Sequence, residues 1–239
     1  MGEFKISSYG DVEEYYKKYY DRMPCSNRTF NHIIHSKLSI TKNIIFTKSI
    51  NAKNDVLLEV GIGSGNHFSY ENFSTYIGID LSLTNLELTK KKHGQNLQED
   101  AALDLINGDG LNLPLKSDYF PFIVMTCLAH HVSDVERLFS ELLRVSRKDS
   151  ESIIRIMLPT DPGVLFRIVR QLTQVPWARK LGFKGYKLYI ARDHRNHFGS
   201  IREIAKWTYR NHVIKFKYFP FLIPLYDINT HVFCEITFE

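Results

Sequence analysis

The chain has 239 residues, a length that suits one α/β domain of moderate size. Its shares of hydrophobic residues (44%) and of charged residues (24%) are those of a globular protein, which excludes a disordered or fibrous chain. It contains no apolar run near the about 20 residues that span a membrane. The N-terminus gives no sign of a signal peptide, and the three cysteines form neither a disulfide framework nor a zinc pattern. We therefore expect a cytoplasmic protein.

The predicted elements alternate between helix and strand. Helices over 11–22 and 31–50 would form an N-terminal cap (1–50), followed by a core (51–160). Apolar runs in the core predict strands at 55–60, 76–80, 103–108, 121–127 and 152–158. Because strands and helices alternate through the first 160 residues, we expect a mainly parallel sheet covered by helices on both faces.

Several helix starts have capping signals. Ser82 is a predicted N-cap, Ser133 and Glu136 form a predicted capping box, and Asp161-Pro162 supplies a predicted N-cap and first helical residue. A looser stretch is expected over 175–199. A helix at 200–211 and strands at 213–219 and 230–238 complete the chain. We expect residues 161–200 to form a substrate lid within a single domain, and residues 201–239 to supply the last helix and strands.

The first core strand runs into Gly61-Ile-Gly63-Ser-Gly65, and the second strand ends at Asp80. A glycine turn that opens a helix, followed by a strand ending in an acid, is typical of a nucleoside-binding unit. A dinucleotide-binding turn has its third glycine one residue later, where this chain has Asn66. A dehydrogenase is therefore the weakest alternative. A second carboxylate, Asp109, follows the third strand.

These motifs, in this order and spacing, resemble the class I S-adenosylmethionine-dependent methyltransferases, especially those acting on small molecules, quinones and lipids. The resemblance covers about residues 56–158. It implies a Rossmann-like, seven-stranded sheet with an antiparallel last strand, and S-adenosylmethionine as cofactor. It also implies the cofactor-binding residues, which are Glu59, Gly61, Gly63 and Gly65 (methionine half), Asp80 (ribose), Leu81 (adenine), Asp109, Gly110 and Leu111 (adenine side), and Thr126 and Cys127 (floor beneath the sulfonium).

Histidines are the candidate catalytic groups, because an oxygen nucleophile needs a base with a pKa near the working pH. We single out His131 after the fourth strand, with its neighbour His130, and His194 and His197 in the expected lid. Tyr16 and Tyr20 are candidates for covering the substrate. No metal site is predicted, because only Asp193 and no thiol lies near His194 and His197 in the sequence.

The positive charge of the chain is concentrated in the expected lid. Between Gly163 and Ser200 lie eight Lys or Arg residues and one acid, a net charge of +7, whereas the whole chain carries +5. This excess favours an anionic acceptor such as a phosphorylated or nucleotide-linked sugar or a lipid-linked phosphate. Arg170 and Arg195 are the candidate contacts. Interleaved apolar residues favour a partly greasy substrate or contact with a membrane surface.

O-methylation of such an acceptor is the main hypothesis. Two alternatives come from other classes of protein. The basic, aromatic segment could bind RNA in a nucleic-acid methyltransferase, although the chain has no appended RNA-binding module. The chain could also be a cofactor-binding regulatory subunit without activity of its own. The oligomeric state does not follow from the sequence.

Overall fold

The computed structural model describes residues 56–65, 73–94, 102–180, 182 and 186–239. The helices predicted over 11–22 and 31–50 lie outside these residues. So do Tyr16 and Tyr20, and their predicted roles remain predictions.

One sheet forms the centre of the fold. Its strands are β1 (Val56–Val60), β2 (Thr75–Asp80), β3 (Ala102–Asn107), β4 (Phe122–Thr126), β5 (Ile153–Pro159), β6 (Val213–Phe219) and β7 (His231–Thr237). They lie in the order β3-β2-β1-β4-β5-β7-β6. Strands β1 to β5 pair in parallel, whereas β7 is antiparallel to both of its neighbours. The predicted seven-stranded, Rossmann-like sheet with an antiparallel last strand is confirmed.

Helices cover the sheet. They are α1 (Leu83–His93), α2 (Val135–Val145), α3 (Val164–Leu172), α4 (Gln174–Lys180), α5 (Tyr186–Asp193) and α6 (Phe198–Thr208), with a 3₁₀ turn at Tyr226–Ile228. Successive strand residues point to opposite faces, and the two faces contribute to two separate apolar cores. Leu58 and Val60 of β1 belong to the core under α2 and α6, whereas Leu57 belongs to the core that includes Leu86 of α1. The central strands are therefore buried on both sides.

Two of the three predicted caps differ from the structure. Ser82 caps α1 as predicted, since its hydroxyl accepts a hydrogen bond from the N–H of Asn85. The cap of α2 is Asp134 rather than Ser133, because the Asp134 carboxylate reaches the N–H of Arg137 at 2.8 Å.

The prediction for Asp161 as an N-cap is wrong. Helix α3 begins at Val164, and the carboxylate that accepts from the Val164 N–H (3.2 Å) is that of Asp227, far along the chain. The Asp161 carboxylate is instead bound by Arg170 and His194.

The looser stretch predicted over 175–199 is also wrong, because α4 and α5 occupy much of it. Pro176 lies in the first turn of α4, where its missing N–H removes no helical hydrogen bond. Val175, Ala178, Tyr186 and Tyr189 are buried, and this burial stabilises two short helices that have weak sequence signals of their own. Helix α6 begins two residues before the predicted start at 200.

Candidate active site

The carboxyl ends of β1 to β5 meet at one edge of the sheet, and the glycine turn lies there. Gly61, Gly63 and Gly65 all have positive φ angles (76°, 56° and 66°), a conformation that residues with a Cβ rarely adopt. The N–H groups of Gly61 and Ile62 donate to the carbonyl of Ile79 (2.8 and 3.1 Å), which fixes the turn to the end of β2. Among the described residues, nothing lies within 4 Å of where a Cβ on Gly63 would be, so this part of the chain leaves the turn an open face at Gly63.

Two side chains of helix α1 contact carbonyl groups of the glycine turn. The Thr89 hydroxyl donates to the carbonyl of Gly63 (2.8 Å), and His93 Nε2 lies 2.7 Å from the carbonyl oxygen of Gly65. Burial lowers the pKa of His93, and Lys92 lowers it further. A Cβ on Gly65 would lie 2.8 Å from Thr89 Cγ2 and 2.9 Å from His93 Cδ2. Helix α1 thus approaches the turn as closely as a residue without a side chain allows.

Asp80, the last residue of β2, turns back onto the glycine turn. Its Oδ2 accepts from the N–H of Gly63 (2.8 Å), and its Oδ1 accepts from the N–H of Ser82 (2.9 Å) and the side-chain amide of Asn85 (3.2 Å). Burial raises the pKa of Asp80 despite these bonds. A carboxylate offers about four lone-pair positions. Three bonds therefore leave Asp80 able to accept one more donor from a ligand.

Beneath this surface, Glu59 and Tyr76 form a buried pair. Glu59 lies on β1 and is fully buried, and the hydroxyl of Tyr76 on β2 donates to its carboxylate. Burial, followed by the charge of Glu59, raises the pKa of Tyr76 well above its usual value. The Tyr76 hydroxyl therefore stays protonated and remains a donor. The pair links the two strands that carry the glycine turn and Asp80.

The residues predicted for the adenine side line the same edge. Leu81 is 65% exposed, which is high for an apolar side chain next to a sheet. Asp109 is exposed, and its Oδ1 accepts from the N–H of Leu111 (2.9 Å). Gly110 lies close to Leu138 of α2, to which an added Cβ would approach within 3.1 Å.

Helix α2 holds the segment that follows Asp109. Glu141 accepts from the N–H of Leu113 (2.8 Å), and Arg144 donates to the carbonyls of Leu113 and Leu115 (2.9 Å each) and to Glu141 itself. The hydrogen bond from Arg144 lowers the pKa of Glu141 and outweighs the effect of burial. An ionised pair on α2 thereby fixes the backbone next to Asp109.

Thr126 and Cys127 lie between the glycine turn and β5. Both are half-buried. Cys127 has a positive φ of 52°, rare for a residue with a side chain, and its N–H donates to the carbonyl of Met157 (2.9 Å). The next residue, Leu128, packs under the turn, since a Cβ on Gly61 would lie 3.0 Å from it.

Three histidines meet beyond Cys127. His130 and His131 follow β4, and His194 follows α5. Their ring centroids lie 3.9 Å (His130 to His131), 4.5 Å (His130 to His194) and 5.1 Å (His131 to His194) apart. His130 is buried at 4% exposure, and the other two are half-buried. Two of the predicted catalytic residues, His131 and His194, are thus neighbours.

Each of these two histidines contacts its own carboxylate. His131 Nδ1 lies 2.6 Å from Asp193 Oδ2, and His194 Nδ1 lies 2.8 Å from Asp161 Oδ2. Burial acts to raise the pKa values of both aspartates, but the bonds from the histidines and from their other partners outweigh it, so both pKa values are lowered. These carboxylates are therefore ionised and orient the imidazoles.

Burial lowers the pKa of His130 far below its usual value, and His131 and His194 nearby lower it further. Burial also lowers the pKa of His194, although the bond to Asp161 opposes this. Both rings are therefore neutral near pH 7.

The backbone after α5 closes onto the β4 loop. The N–H groups of Arg195 and Asn196 donate to the carbonyl of His130 (2.8 and 3.3 Å), and the Asn196 amide donates to the carbonyls of Ala129 and Val132 (3.1 and 2.8 Å). These bonds bring His194 to the other two histidines. His197, in contrast, is exposed and precedes the first residue of α6.

The two predicted acceptor-binding arginines have different positions. Arg170 on α3 donates to Asp161 Oδ2 (2.7 Å) and is half-buried, so it belongs to the histidine cluster. Arg195 is exposed. The sequence predicted both from local charge alone, which does not reveal whether an arginine has a partner inside the protein.

Comparison with known proteins identifies the domain. Residues 58–154 match the family model described as "Methyltransferase domain". The magnesium protoporphyrin IX methyltransferase of Synechocystis PCC 6803, crystallised with S-adenosylhomocysteine, has the same fold. It has a TM-score of 0.64 and 12% identity, and the match covers 97% of this chain and all of that one. Residues 58–154 thus match a methyltransferase domain, and the chain around them has the fold of S-adenosylmethionine-dependent methyltransferases.

Curated relatives of the methyltransferase domain match over shorter stretches. A demethylmenaquinone methyltransferase of Lactobacillus johnsonii is 32% identical over 88 residues, which are 36% of this chain and 35% of that protein. A phosphatidylethanolamine N-methyltransferase of Cereibacter sphaeroides is 29% identical over 126 residues, 52% of this chain and 62% of that protein. The chain thus matches less than two thirds of either relative. No helix among the described residues is long and apolar enough to cross a membrane.

Sequence reasoning missed several residues of the candidate site. Thr89 and His93 support the glycine turn from a helix whose sequence carries no methyltransferase motif. From the sequence, Asp161 was predicted to be a helix N-cap, and Asp193 was only an acid within a basic segment. Both reach the histidines only in the folded chain. The one available signal was that Asp193 is the only acid between Gly163 and Ser200.

Proposed function

We propose that this chain transfers the methyl group of S-adenosylmethionine to an oxygen atom of a small, anionic acceptor. The acceptor class is a phosphorylated or nucleotide-linked sugar or a lipid-linked compound. One observation carries the proposal, which is that a glycine turn with an open face and two aspartate-paired histidines lie at the same edge of the sheet.

The donor side fits the cofactor. The open face at Gly63 would accommodate the methionine half beside Gly61 and Gly65, with the buried Glu59 beneath them, and a side chain at Gly63 would fill that space. Asp80 has room for one more hydrogen bond, as a ribose hydroxyl requires. The exposed Leu81 and the Asp109–Leu111 segment would hold the adenine. When bound, the cofactor supplies a methyl group that is activated by its positive sulfur.

On the acceptor side, Thr126 and Cys127 would form the floor and His131 would act as the base. Asp193 holds Nδ1 of His131, so the other ring nitrogen can accept the proton of a hydroxyl group. His194 would bind the acceptor, with Asp161 and Arg170 positioning it. His197 and Arg195 would lie at the outer rim. A base is needed for an oxygen nucleophile, whereas a free amine needs none, and the paired histidines therefore favour O-methylation.

The methyl donor is tested by calorimetry with S-adenosylhomocysteine on wild type, Asp80→Asn and Asp104→Asn. Asp104 is an exposed carboxylate on the adjacent strand β3 and serves as the matched control. A hydrogen bond to a charged group contributes about 1.5–3 kcal/mol, so Asp80→Asn should weaken binding roughly tenfold to a hundredfold. Equal affinity in all three proteins would contradict the cofactor site.

The acceptor is tested with labelled S-adenosylmethionine and fractionated cell extract, separated into lipid, nucleotide-sugar and RNA pools. The proposal is supported if the label is found in the lipid or nucleotide-sugar pool and the labelled methyl group is bound to oxygen, as an ether or an ester. Label on an amine, or salt-sensitive label in RNA, would replace it by N-methylation or by a nucleic-acid methyltransferase.

Contact with a membrane surface forms the second part of the proposal. Helix α3 exposes Val164, Ile168 and Leu172, at intervals of four residues, with the exposed Arg167 beside them. The loop between β6 and β7 exposes Phe221, Leu222, Ile223 and Leu225, and the bond from Val164 to Asp227 joins this loop to α3. Apolar side chains edged by positive charge suit an anionic lipid surface.

This contact predicts that the chain sediments with vesicles containing phosphatidylglycerol more than with neutral vesicles. Leu222→Asp should reduce the bound fraction, whereas Leu83→Asp should not, since Leu83 on α1 is also a well-exposed leucine (61%, against 71% for Leu222) but lies outside this surface. Equal losses in the two variants would refute a specific surface.

A further inference from the structure

The three clustered histidines exceed what a general base requires. A base needs one imidazole and one carboxylate, but here a third ring, that of His130, lies in the same cluster. Each of His130, His131 and His194 offers one ring nitrogen, and these three atoms all lie within 4.8 Å of one another. Tetrahedral zinc with nitrogen ligands at 2.0–2.1 Å places those nitrogens about 3.3 Å apart. Small side-chain rotations would therefore bring the three atoms to ligand spacing.

The surrounding carboxylates have the arrangement found around metal-binding histidines. Such histidines almost always bind a carboxylate or carbonyl through the ring nitrogen that does not touch the metal. Nδ1 of His131 contacts Asp193, and Nδ1 of His194 contacts Asp161. This leaves Nε2 of each ring as the ligand atom. The carboxylates are held in turn, since Tyr189 donates to Asp193 and Arg170 donates to Asp161 (2.7 Å each).

His130 provides an independent indication. It is 96% buried, and its Nδ1 has no hydrogen-bond partner among the residues that the structure describes. Burying a polar atom without a partner is unfavourable, and a bound ion is one of the features that explain such an atom in a folded protein.

We propose that His130, His131 and His194 form a binding site for one divalent transition-metal ion of the zinc type. Three neutral imidazoles select zinc, cobalt or nickel over magnesium and calcium, which prefer oxygen ligands. The fourth coordination position is left for water or for an oxygen of the acceptor. Only that last assignment rests on the proposed function.

The metal site was not expected from the sequence, which predicted none. That prediction considered His194, His197 and Asp193 together because they are neighbours in the chain. The fold instead combines His194 with two residues that follow β4. A bound ion would occupy Nε2 of His131, which is the atom that would otherwise accept the proton of the acceptor hydroxyl. The ion-bound and ion-free proteins would therefore differ in the group that removes this proton.

The test is a Co²⁺ titration of the purified full chain after treatment with a chelator, followed by visible absorption and by metal analysis after dialysis. Wild type should bind one equivalent, with the intense visible bands of four-coordinate cobalt. His194→Ala should abolish these bands. Asp161→Asn should weaken binding about 10- to 100-fold, as for other residues that orient a metal ligand. His212→Ala, which changes a histidine that packs against Phe238 outside the cluster, should leave binding unchanged.

S-adenosylhomocysteine calorimetry on the same preparations reports folding and the donor site independently. Wild type that binds S-adenosylhomocysteine but takes up no cobalt at millimolar concentration overturns the metal site and leaves the proposed function standing. Stoichiometric cobalt binding that survives His194→Ala also overturns it. Cobalt binding by a chain that does not bind S-adenosylhomocysteine overturns the proposed function alone.

Discussion

The contact between α1 and the glycine turn makes a sharp prediction at Gly65. Its φ is +66°, and an added Cβ would lie 2.8 Å from Thr89 Cγ2 and 2.9 Å from His93 Cδ2. An L-residue in the left-handed conformation costs roughly 1–2 kcal/mol. Overpacking a tight contact costs about 1–3 kcal/mol more. Gly65→Ala should therefore lower the free energy of unfolding by about 2–5 kcal/mol.

Gly63 provides the matched control. It has nearly the same φ (+56°), but no atom of the residues that the structure describes lies within 4 Å of where its Cβ would be. Gly63→Ala should cost only the conformational part, about 1–2 kcal/mol. Both substitutions reduce the entropy of the unfolded chain equally, so the difference between them isolates the clash with α1.

The assay is urea denaturation of wild type and both variants. Their free energies of unfolding are compared with the same m value, the slope of that free energy against urea concentration. Adding Thr89→Ser to Gly65→Ala removes Cγ2 and keeps the hydroxyl that binds Gly63, so it should restore part of the lost stability. If Gly65→Ala costs no more than Gly63→Ala, the close approach of α1 to the turn is refuted.

Three further outcomes are expected from buried polar groups. Tyr209 is fully buried and its hydroxyl donates to the carbonyl of Phe139 (3.1 Å), so Tyr209→Phe should lower the free energy of unfolding by about 1 kcal/mol in urea. Arg144 lowers the pKa of Glu141 below its usual 4.5, so this pair stabilises the fold fully above about pH 4.5 and loses its effect as pH falls through the lower, folded-state pKa. Wild type should therefore lose stability more steeply than Glu141→Gln in acid-denaturation curves, and parallel curves would contradict this. Asp161→Asn should reduce turnover with little change in the affinity for S-adenosylhomocysteine, because Asp161 contacts the histidine cluster and not the glycine turn.

The sequence predicted the sheet well because its signals are local. Buried strands such as Val56–Val60 are short apolar runs, and the turn after β1 needs glycine at positions that can be read directly from the chain. The carboxyl ends of parallel strands meet at one edge, so the relative positions of Asp80, Asp109 and Thr126 followed from the element order alone.

The acceptor side could not be predicted in the same way, because its contacts join distant parts of the chain. Asp161 has a good local capping signal, but Arg170 and His194 bind its carboxylate in the folded protein. Helix α3 is capped by Asp227, which comes from the other end of the chain. Helices α4 and α5 depend on tertiary burial, which a weak periodic pattern does not reveal.

The bonds between Asn196 and the β4 loop have a consequence for changing acceptor preference. The segment from Asp161 to Asn196 follows β5 at one end, and at the other end Asn196 donates to the carbonyls of Ala129 and Val132 in the β4 loop. Exposed side chains between these two ends can therefore change without moving the histidines. A variant that exchanges exposed residues of α3, such as Arg167, for those of another methyltransferase should keep its histidines in register while presenting a new surface to the acceptor.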